Sequence, residues 1–373
     1  MAEAGEQESG RGNARLRLLD ETVGVGLLAA AGLLRRKRSQ PTTLGRIGVM
    51  KTVAIGDMIL ASAVVKDVVR TFPTAEVVLF SGVDNQAIAR LIPGVKVVAL
   101  PMTKPWSVVR RLRSEQLDVL LDLGQWTRVD AICSFLSRAR YTIGFETPGQ
   151  HRHFAYDATV RHSDVVHELE NFRRLVGELG VEPLSIPTIE TPQVAAEVDE
   201  PAPRPYVVFH LWPGGFKSWL KEWPAASWRA LAARVAAEGF SVVLTGAPAD
   251  AARTESFVRS SVSTGVPLVN AAGRYSLSEL VTVFRASSCV VSVNTGVMHL
   301  AATVGAPTVA LNGPTSERRW GPIGARVVSV NSDLPGCGYL DLGFEYERGR
   351  PDCMEGISTD RVAEAVLHLA SRG

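Results

Sequence analysis

Short apolar runs alternate with segments of helical period along the chain, and the rhythm occurs twice. In the first half, residues 47–51, 76–80, 95–100, 117–121 and 141–143 read as buried strands. Between them, residues 54–69, 85–91, 106–113 and 129–136 read as helices. The first of these repeats Ile59, Ala63, Val64 and Val68 at helical spacing and ends before Pro73. The second half gives strands at 206–210, 241–244, 268–269, 289–293 and 307–311, with helices at 225–238, 249–261, 277–286 and 296–304. Strands alternating with helices predict a parallel sheet covered on both faces, here in two copies.

A length of 373 residues and a hydrophobic fraction of 46% fit two packed cores. Five prolines between Pro187 and Pro205 mark a semi-extended connector. The expected organisation is therefore a disordered arm followed by an amphipathic and basic segment (1–40), a first Rossmann-like domain (41–185), a Pro-rich linker (186–204) and a second Rossmann-like domain (205–373). A net charge of +2 excludes a broadly basic nucleic-acid coat, so no nucleic-acid partner is expected. Four cysteines exclude a small disulfide scaffold, and Cys337 and Cys353, on a long loop, read either as two unrelated thiols, the default, or as a transient disulfide.

The uncharged stretch 22–34 is too short to span a bilayer. The cluster Arg35-Arg36-Lys37-Arg38 follows it rather than precedes it, which argues against a signal peptide. Two readings of residues 16–38 stand: a helix packed on the protein's own surface, or an interfacial helix at an anionic membrane. The expected location is cytoplasmic, with peripheral contact at the inner face of the plasma membrane.

In doubly wound sheets, ligands sit at the carboxyl ends of strands. The turn 52–57 leaves the first strand there. Gly56 allows close backbone approach, and Asp57 reads either as a helix cap or as a general base. After the strand at 206–210, Gly214 and Gly215 expose backbone N–H groups, with Lys217 or Lys221 as cations for phosphate. Asp250, after the next strand, reads as a cap or as a ribose ligand. The most informative stretch is Asn294-Thr295-Gly296-Val297-Met298-His299. A helix opens at Thr295-Gly296 directly after a buried strand, where a diphosphate is favoured, and His299 lies one turn in. No Cys pair or His cluster has metal-ligand spacing, so no metal and no cofactor is expected. Neither a G-x-S-x-G elbow nor a G-x-G-x-x-G loop is present.

The ordered set Ile55-Gly56-Asp57, Pro213-Gly214-Gly215, Lys221-Glu222-Trp223-Pro224, Gly246-Ala247-Pro248, Ala272-Gly273, Asn294 to Ala302 and Gly313-Pro314-Thr315 resembles the heptosyltransferase family of glycosyltransferases, over residues 46–330. The resemblance implies a GT-B fold, two Rossmann-like domains facing an interdomain cleft. It implies metal-independent transfer with inversion from a nucleotide-sugar donor, commonly ADP-heptose, to a lipopolysaccharide-type glycan or glycolipid acceptor. It makes Asp57 the general base, Lys221 the cation on the donor phosphates, Asp250 a nucleoside ligand, and Thr295, Gly296 and His299 the diphosphate site. Asn294 stands where the family usually has Asp, which bears on the donor sugar. The competing readings are a nucleotide-sugar 2-epimerase of related fold and a non-catalytic nucleotide-sugar-binding protein.

Overall fold

The computed structural model describes residues 14–190, 198–215, 217–262, 265–342 and 350–371. The chain forms two units, one of residues 1–163 with 169–185, the other of residues 164–168 with 186–373. The expected arm at 1–13 and the middle of the Pro-rich stretch at 191–197 lie outside the described residues.

The first unit begins with helix α1 (Ala14–Leu34), then runs β1 (Arg46–Lys51), α2 (Ile55–Thr71), β2 (Glu76–Ser81), α3 (Gln86–Ala89), β3 (Lys96–Ala99), α4 (Pro105–Ser114), β4 (Val119–Asp122), α5 (Arg128–Leu136), β5 (Tyr141–Glu146) and β6 (Ala158–Arg161), with α6 (Glu168–Gly177) closing the series. The strands make one sheet in the order β3-β2-β1-β4-β5-β6, every pair parallel. Apolar runs explain the centre. Every residue of β4 is buried, as are the last five of β1, because helices cover both faces of a parallel sheet.

The second unit repeats the plan with β7 (Tyr206–His210), α7 (Ala225–Ala237), β8 (Ser241–Thr245), α8 (Ala251–Ser260), β9 (Leu268–Asn270), α9 (Leu277–Ala286), β10 (Cys289–Val293), α10 (Gly296–Thr303), β11 (Thr308–Asn312), α11 (Glu317–Trp320), β12 (Val327–Asn331) and α12 (Thr359–Ala370). Its parallel sheet has the order β12-β11-β10-β7-β8-β9. Its core is aromatic at one end: Trp228 packs edge-on to Trp223 at 5.0 Å and against Phe209 at 5.2 Å. Such pairs add about 0.5–1.5 kcal/mol beyond area burial.

The two sheets share one topology. Each runs outward from its first strand on one side and resumes from its fourth on the other, so the order reverses between β1 and β4, and between β7 and β10. Those reversal points open crevices at the carboxyl ends of the strands, the favoured ligand position in open α/β sheets.

Five elements are additional to the sequence reading: β6, α6, α11, β12 and α12. The signal for α12 was present. Ser358 accepts the N–H of Arg361 as a cap, and Val362, Ala363, Val366 and Leu369 recur at helical spacing and are buried. Of the two readings of Cys337 and Cys353 the default of unrelated thiols fails, because the two form a disulfide with Cα atoms 5.6 Å apart. Both flanks dock on the turn after β11: Gly338 N–H donates to the Gly313 carbonyl, and Met354 packs where a Cβ on Gly313 would fall. Sequence separation alone carries no trace of that meeting. Cys133 and Cys289 are buried free thiols, each pushed up to about 12 by desolvation.

Candidate active site

The first strand-end turn is held in an unusual backbone shape. Ala54 sits at φ 67°, in the left-handed region that an alanine adopts only under constraint. The constraint is Asn85, which is fully buried and spans the gap between β1 and β2. Its amide donates to the carbonyls of Lys51 (3.1 Å) and Ala54 (3.3 Å), and its oxygen accepts the N–H of Gly82 (2.9 Å).

This turn delivers Asp57 as the third residue of α2. The cap position is Ala54, so Asp57 does not occupy it. Its carboxylate lies in the first turn, where the helix dipole favours negative charge, and it is 5% exposed. Lys51, at the end of β1 and fully buried, places Nζ 2.7 Å from Asp57 Oδ2. The same ammonium donates to Gln125 Oε1 at 2.7 Å, and Gln125 Nε2 donates to Asp57 Oδ2 at 3.4 Å. A buried carboxylate without a counter-charge would cost several kcal/mol; Lys51 supplies that charge, and Gln125 closes the triangle.

A second buried polar cluster lies beneath Gln125. Arg152 donates to Asp122 Oδ2 (3.0 Å), to the Gly124 carbonyl (2.6 Å) and to the Thr127 carbonyl. Tyr156 Oη donates to Asp122 Oδ2 at 2.6 Å. Asp130 accepts from Thr52 Oγ1 at 3.0 Å and from Thr127 Oγ1. A Cβ at Gly124 would come within 3.0 Å of both carboxylates, so glycine is required there. Burial first, and the neighbouring Asp122 second, push the Asp130 carboxyl up to about 6. The cluster clamps the segment 123–127 from below and thereby sets where Gln125 points.

In the second unit, the predicted motifs fall on one sheet edge, because β10, β7 and β8 are neighbours. After β7, Gly215 has φ 97° and Lys217 φ 48°, which bends the chain into a 3-10 turn over Ser218–Lys221. Lys221 Nζ donates to the Gly214 carbonyl at 3.2 Å. After β8, Asp250 is engaged locally: it accepts the Ala247 N–H at 2.7 Å and pairs with Arg253 at 2.6 Å. Arg253 also lies 4.1 Å above the Trp212 ring and bonds Glu222 at 3.0 Å, which ties the β7 and β8 turns together. Desolvation holds His210, at the end of β7, down at about 4; its Nδ1 is 3.1 Å from Thr245 Oγ1.

At the end of β10, Thr295 caps α10, its hydroxyl accepting the Val297 N–H at 3.0 Å. The N–H groups of Gly296 and Met298 then have no acceptor in the helix ladder and point off its positive end. His299 is buried one turn in. Asn294 is also buried. Its amide nitrogen donates to Asn312 Oδ1 (2.8 Å) and to the Trp320 carbonyl (3.0 Å). Asn312 passes the chain of amides on to Asn331 (3.1 Å), and Asn331 to Glu317 (2.5 Å). The departure at 294 is therefore structural: both neighbours accept, and an Asp has nothing to donate.

The glycosyltransferase family 9 (heptosyltransferase) model matches residues 105–337, more than half of the chain. The chain belongs to glycosyltransferase family 9. Among curated relatives, this family 9 chain is 32% identical to lipopolysaccharide heptosyltransferase 1 of Pseudomonas aeruginosa over 167 residues, 40% of this chain and 46% of that protein. The chain spans less than half the length of the curated relatives it matches. Two solved structures share its GT-B fold. E. coli ADP-heptose lps heptosyltransferase II superposes with a TM-score of 0.71 at 20% identity, over 88% of this chain and 99% of that one. E. coli heptosyltransferase WaaC with ADP gives 0.67 at 18% identity, over 87% and 99%.

Several members of these clusters escaped the sequence reading of the family 9 chain: Lys51, Asn85, Gln125, and the group Asp122, Asp130, Arg152 and Tyr156. One signal was available, since Lys51 directly follows the apolar run 47–50 of a buried strand, and a charge there needs a partner. Among the described residues, no group of three or more His, Cys, Asp or Glu side chains is placed to hold a metal ion.

Proposed function

We propose that the protein transfers a sugar from a nucleoside diphosphate sugar, an ADP-linked heptose in the first instance, to a hydroxyl of a lipopolysaccharide-type glycan or glycolipid acceptor, with inversion and without a metal, on the cytoplasmic side of the membrane. The observation that carries this reading is Asp57, a buried carboxylate at the sheet-reversal point of the first unit, fixed by Lys51 and Gln125. Asp57 removes the proton from the acceptor hydroxyl as its oxygen bonds to the anomeric carbon. The bond from that carbon to the diphosphate breaks, and the electron pair leaves with the diphosphate. An inverting displacement needs a base on one face and anion stabilisation on the other. The N–H groups of Gly296 and Met298 at the start of α10, with Lys221 and His299, supply the stabilisation. Gly214 and Gly215 give the diphosphate room to approach the backbone.

Asp250 bears on the nucleoside through Arg253 and Trp212, since its own oxygens are committed to Ala247 and Arg253. Asn294 acts on the donor side by fixing the end of β10 rather than by charge.

Thermal shift against ADP, UDP, GDP and dTDP tests the reading. A bound nucleotide at about one hundred times its Kd adds about 2.7 kcal/mol, a shift of several degrees. ADP is expected to give the largest shift, and the absence of a shift with all four would remove the donor-site assignment.

A further inference from the structure

Helix α1 is built the wrong way round for a helix facing water. Its inward stripe is Asp20, Gly24, Leu28 and Ala31, one face at helical spacing. Leu28 is fully buried against Ala131, Ala155 and Tyr156. Gly24 and Gly32 sit so close that a Cβ on them would meet the Arg128 and Phe154 side chains at 3.0 and 2.8 Å. Apart from Leu28, small residues thus face the protein, while four larger aliphatics are exposed: Val23 and Leu27 by half, Leu34 by 77% and Leu33 by 90%.

Ion pairs at both ends fix this rotation. Asp20 accepts the N–H groups of Arg128 and Val129 and pairs with Arg128 at 3.2 Å. Beyond the other end, Arg35 and Arg38 both pair with the buried Asp157, at 2.6 and 2.8 Å. A turn of the helix that buried Leu27 and Leu33 instead would break these pairs. The outward face is therefore specified, and no charged residue interrupts it between residues 22 and 34. Two cations of the following cluster are used by Asp157; the other two, Arg36 and Lys37, are exposed next to Leu33 and Leu34. Residues 22–40 contain no acidic residue.

We infer that α1 is an interfacial helix that seats the first unit on an anionic lipid surface, with Val23, Leu27, Leu33 and Leu34 entering the acyl boundary and Arg36 and Lys37 meeting lipid phosphates. An apolar strip about 16 Å long lying along a helix, with cations at one end and no acid, matches the headgroup boundary of an anionic bilayer in both polarity and charge. Among the described residues, no helix is long and apolar enough to cross a membrane, so the geometry is that of lying on the surface. The inference is independent of the transfer reaction, and its readout is binding rather than turnover.

The test is flotation of the full chain with vesicles of equimolar phosphatidylcholine and phosphatidylglycerol, and with phosphatidylcholine alone, beside light scattering in solution. The wild type is expected to float with the anionic vesicles and less with the neutral ones. Combining Val23→Ser, Leu27→Ser, Leu33→Ser and Leu34→Ser removes exposed groups, is expected to leave the melting temperature unchanged, and should lower vesicle affinity on the order of a hundredfold. Should that variant misfold, Leu33→Ser with Leu34→Ser alone serves, at the two most exposed positions. Arg36→Gln and Lys37→Gln should each cost about fivefold on anionic vesicles. The inference is overturned if the wild type stays unbound, if the serine variants float unchanged, if charge makes no difference, or if the strip proves to hold a dimer that the serine variants dissociate.

Discussion

Replacing Arg152 with methionine takes a fully buried guanidinium away from two buried carboxylates. Breaking a buried ion pair by removing one partner costs about 3–5 kcal/mol, because a charge is left uncompensated. The carbonyls of Gly124 and Thr127 lose their donor as well. An escape route limits the loss. Asp130 already sits at about 6, and Arg152 is one of the groups holding it down, so the variant takes up a proton there near neutral pH. Each tenfold gain in the proton affinity of that carboxyl corresponds to about 1.4 kcal/mol. A net loss of about 3–4 kcal/mol is expected, or about 8–15 °C in the melting temperature of a unit of this size. The sign of the pH effect follows from the same carboxyl. Its folded value is raised from 3.8, so its contribution is present in full below 3.8 and is lost as pH rises through about 6. Thermal melts of Arg152→Met at pH 5 and pH 8 should therefore show the larger deficit at pH 8. Adding Asp122→Asn should recover part of it by removing one of the two charges. A deficit of a degree or two, or one equal at the two pH values, would refute the claim that charge compensation holds this cluster together.

Two further outcomes follow from the second unit. Asn294→Asp turns a double donor into an acceptor facing Asn312 Oδ1 and the Trp320 carbonyl, and should cost about 2–3 kcal/mol by urea unfolding; an unchanged midpoint would mean that the amide chain rearranges freely. His210, held down at about 4 against 6.5 unfolded, contributes stability that is present above 6.5 and lost as pH falls through about 4, so His210→Gln should flatten the stability profile over that window, measured by denaturant midpoints at stepped pH.

Much of the architecture was legible because a parallel sheet writes itself into sequence as buried apolar runs, and most of the elements described here follow from that rhythm. The strand-end turns were legible too, since glycine and a capping residue after such a run mark a helix start, as at Thr295-Gly296. Asp57 was singled out in that way. Its partners were not, for a physical reason: Lys51 and Gln125 are 74 residues apart, and the register of β1 with β4 joins them. The same holds for Arg152 and Asp122, 30 residues apart. At Asp250 the local contacts were legible as well, since an acid at a helix start takes the nearest N–H, here of Ala247, and pairs with Arg253 three residues on. Burial of the small face of α1 rather than the large one was invisible, because the choice is made by Asp157, more than a hundred residues away.

Transfer of sugar from ADP-heptose to a lipopolysaccharide-type acceptor, followed by product mass, tests the proposed chemistry most directly when Asp57→Asn is run beside the wild type. The substitution keeps the size of the side chain and its contact with Lys51 but removes the base. Turnover is expected to fall about 100-fold or more, with the ADP-induced melting shift unchanged. Turnover within a few-fold of the wild type would contradict the assignment of Asp57 as the group that takes the acceptor proton.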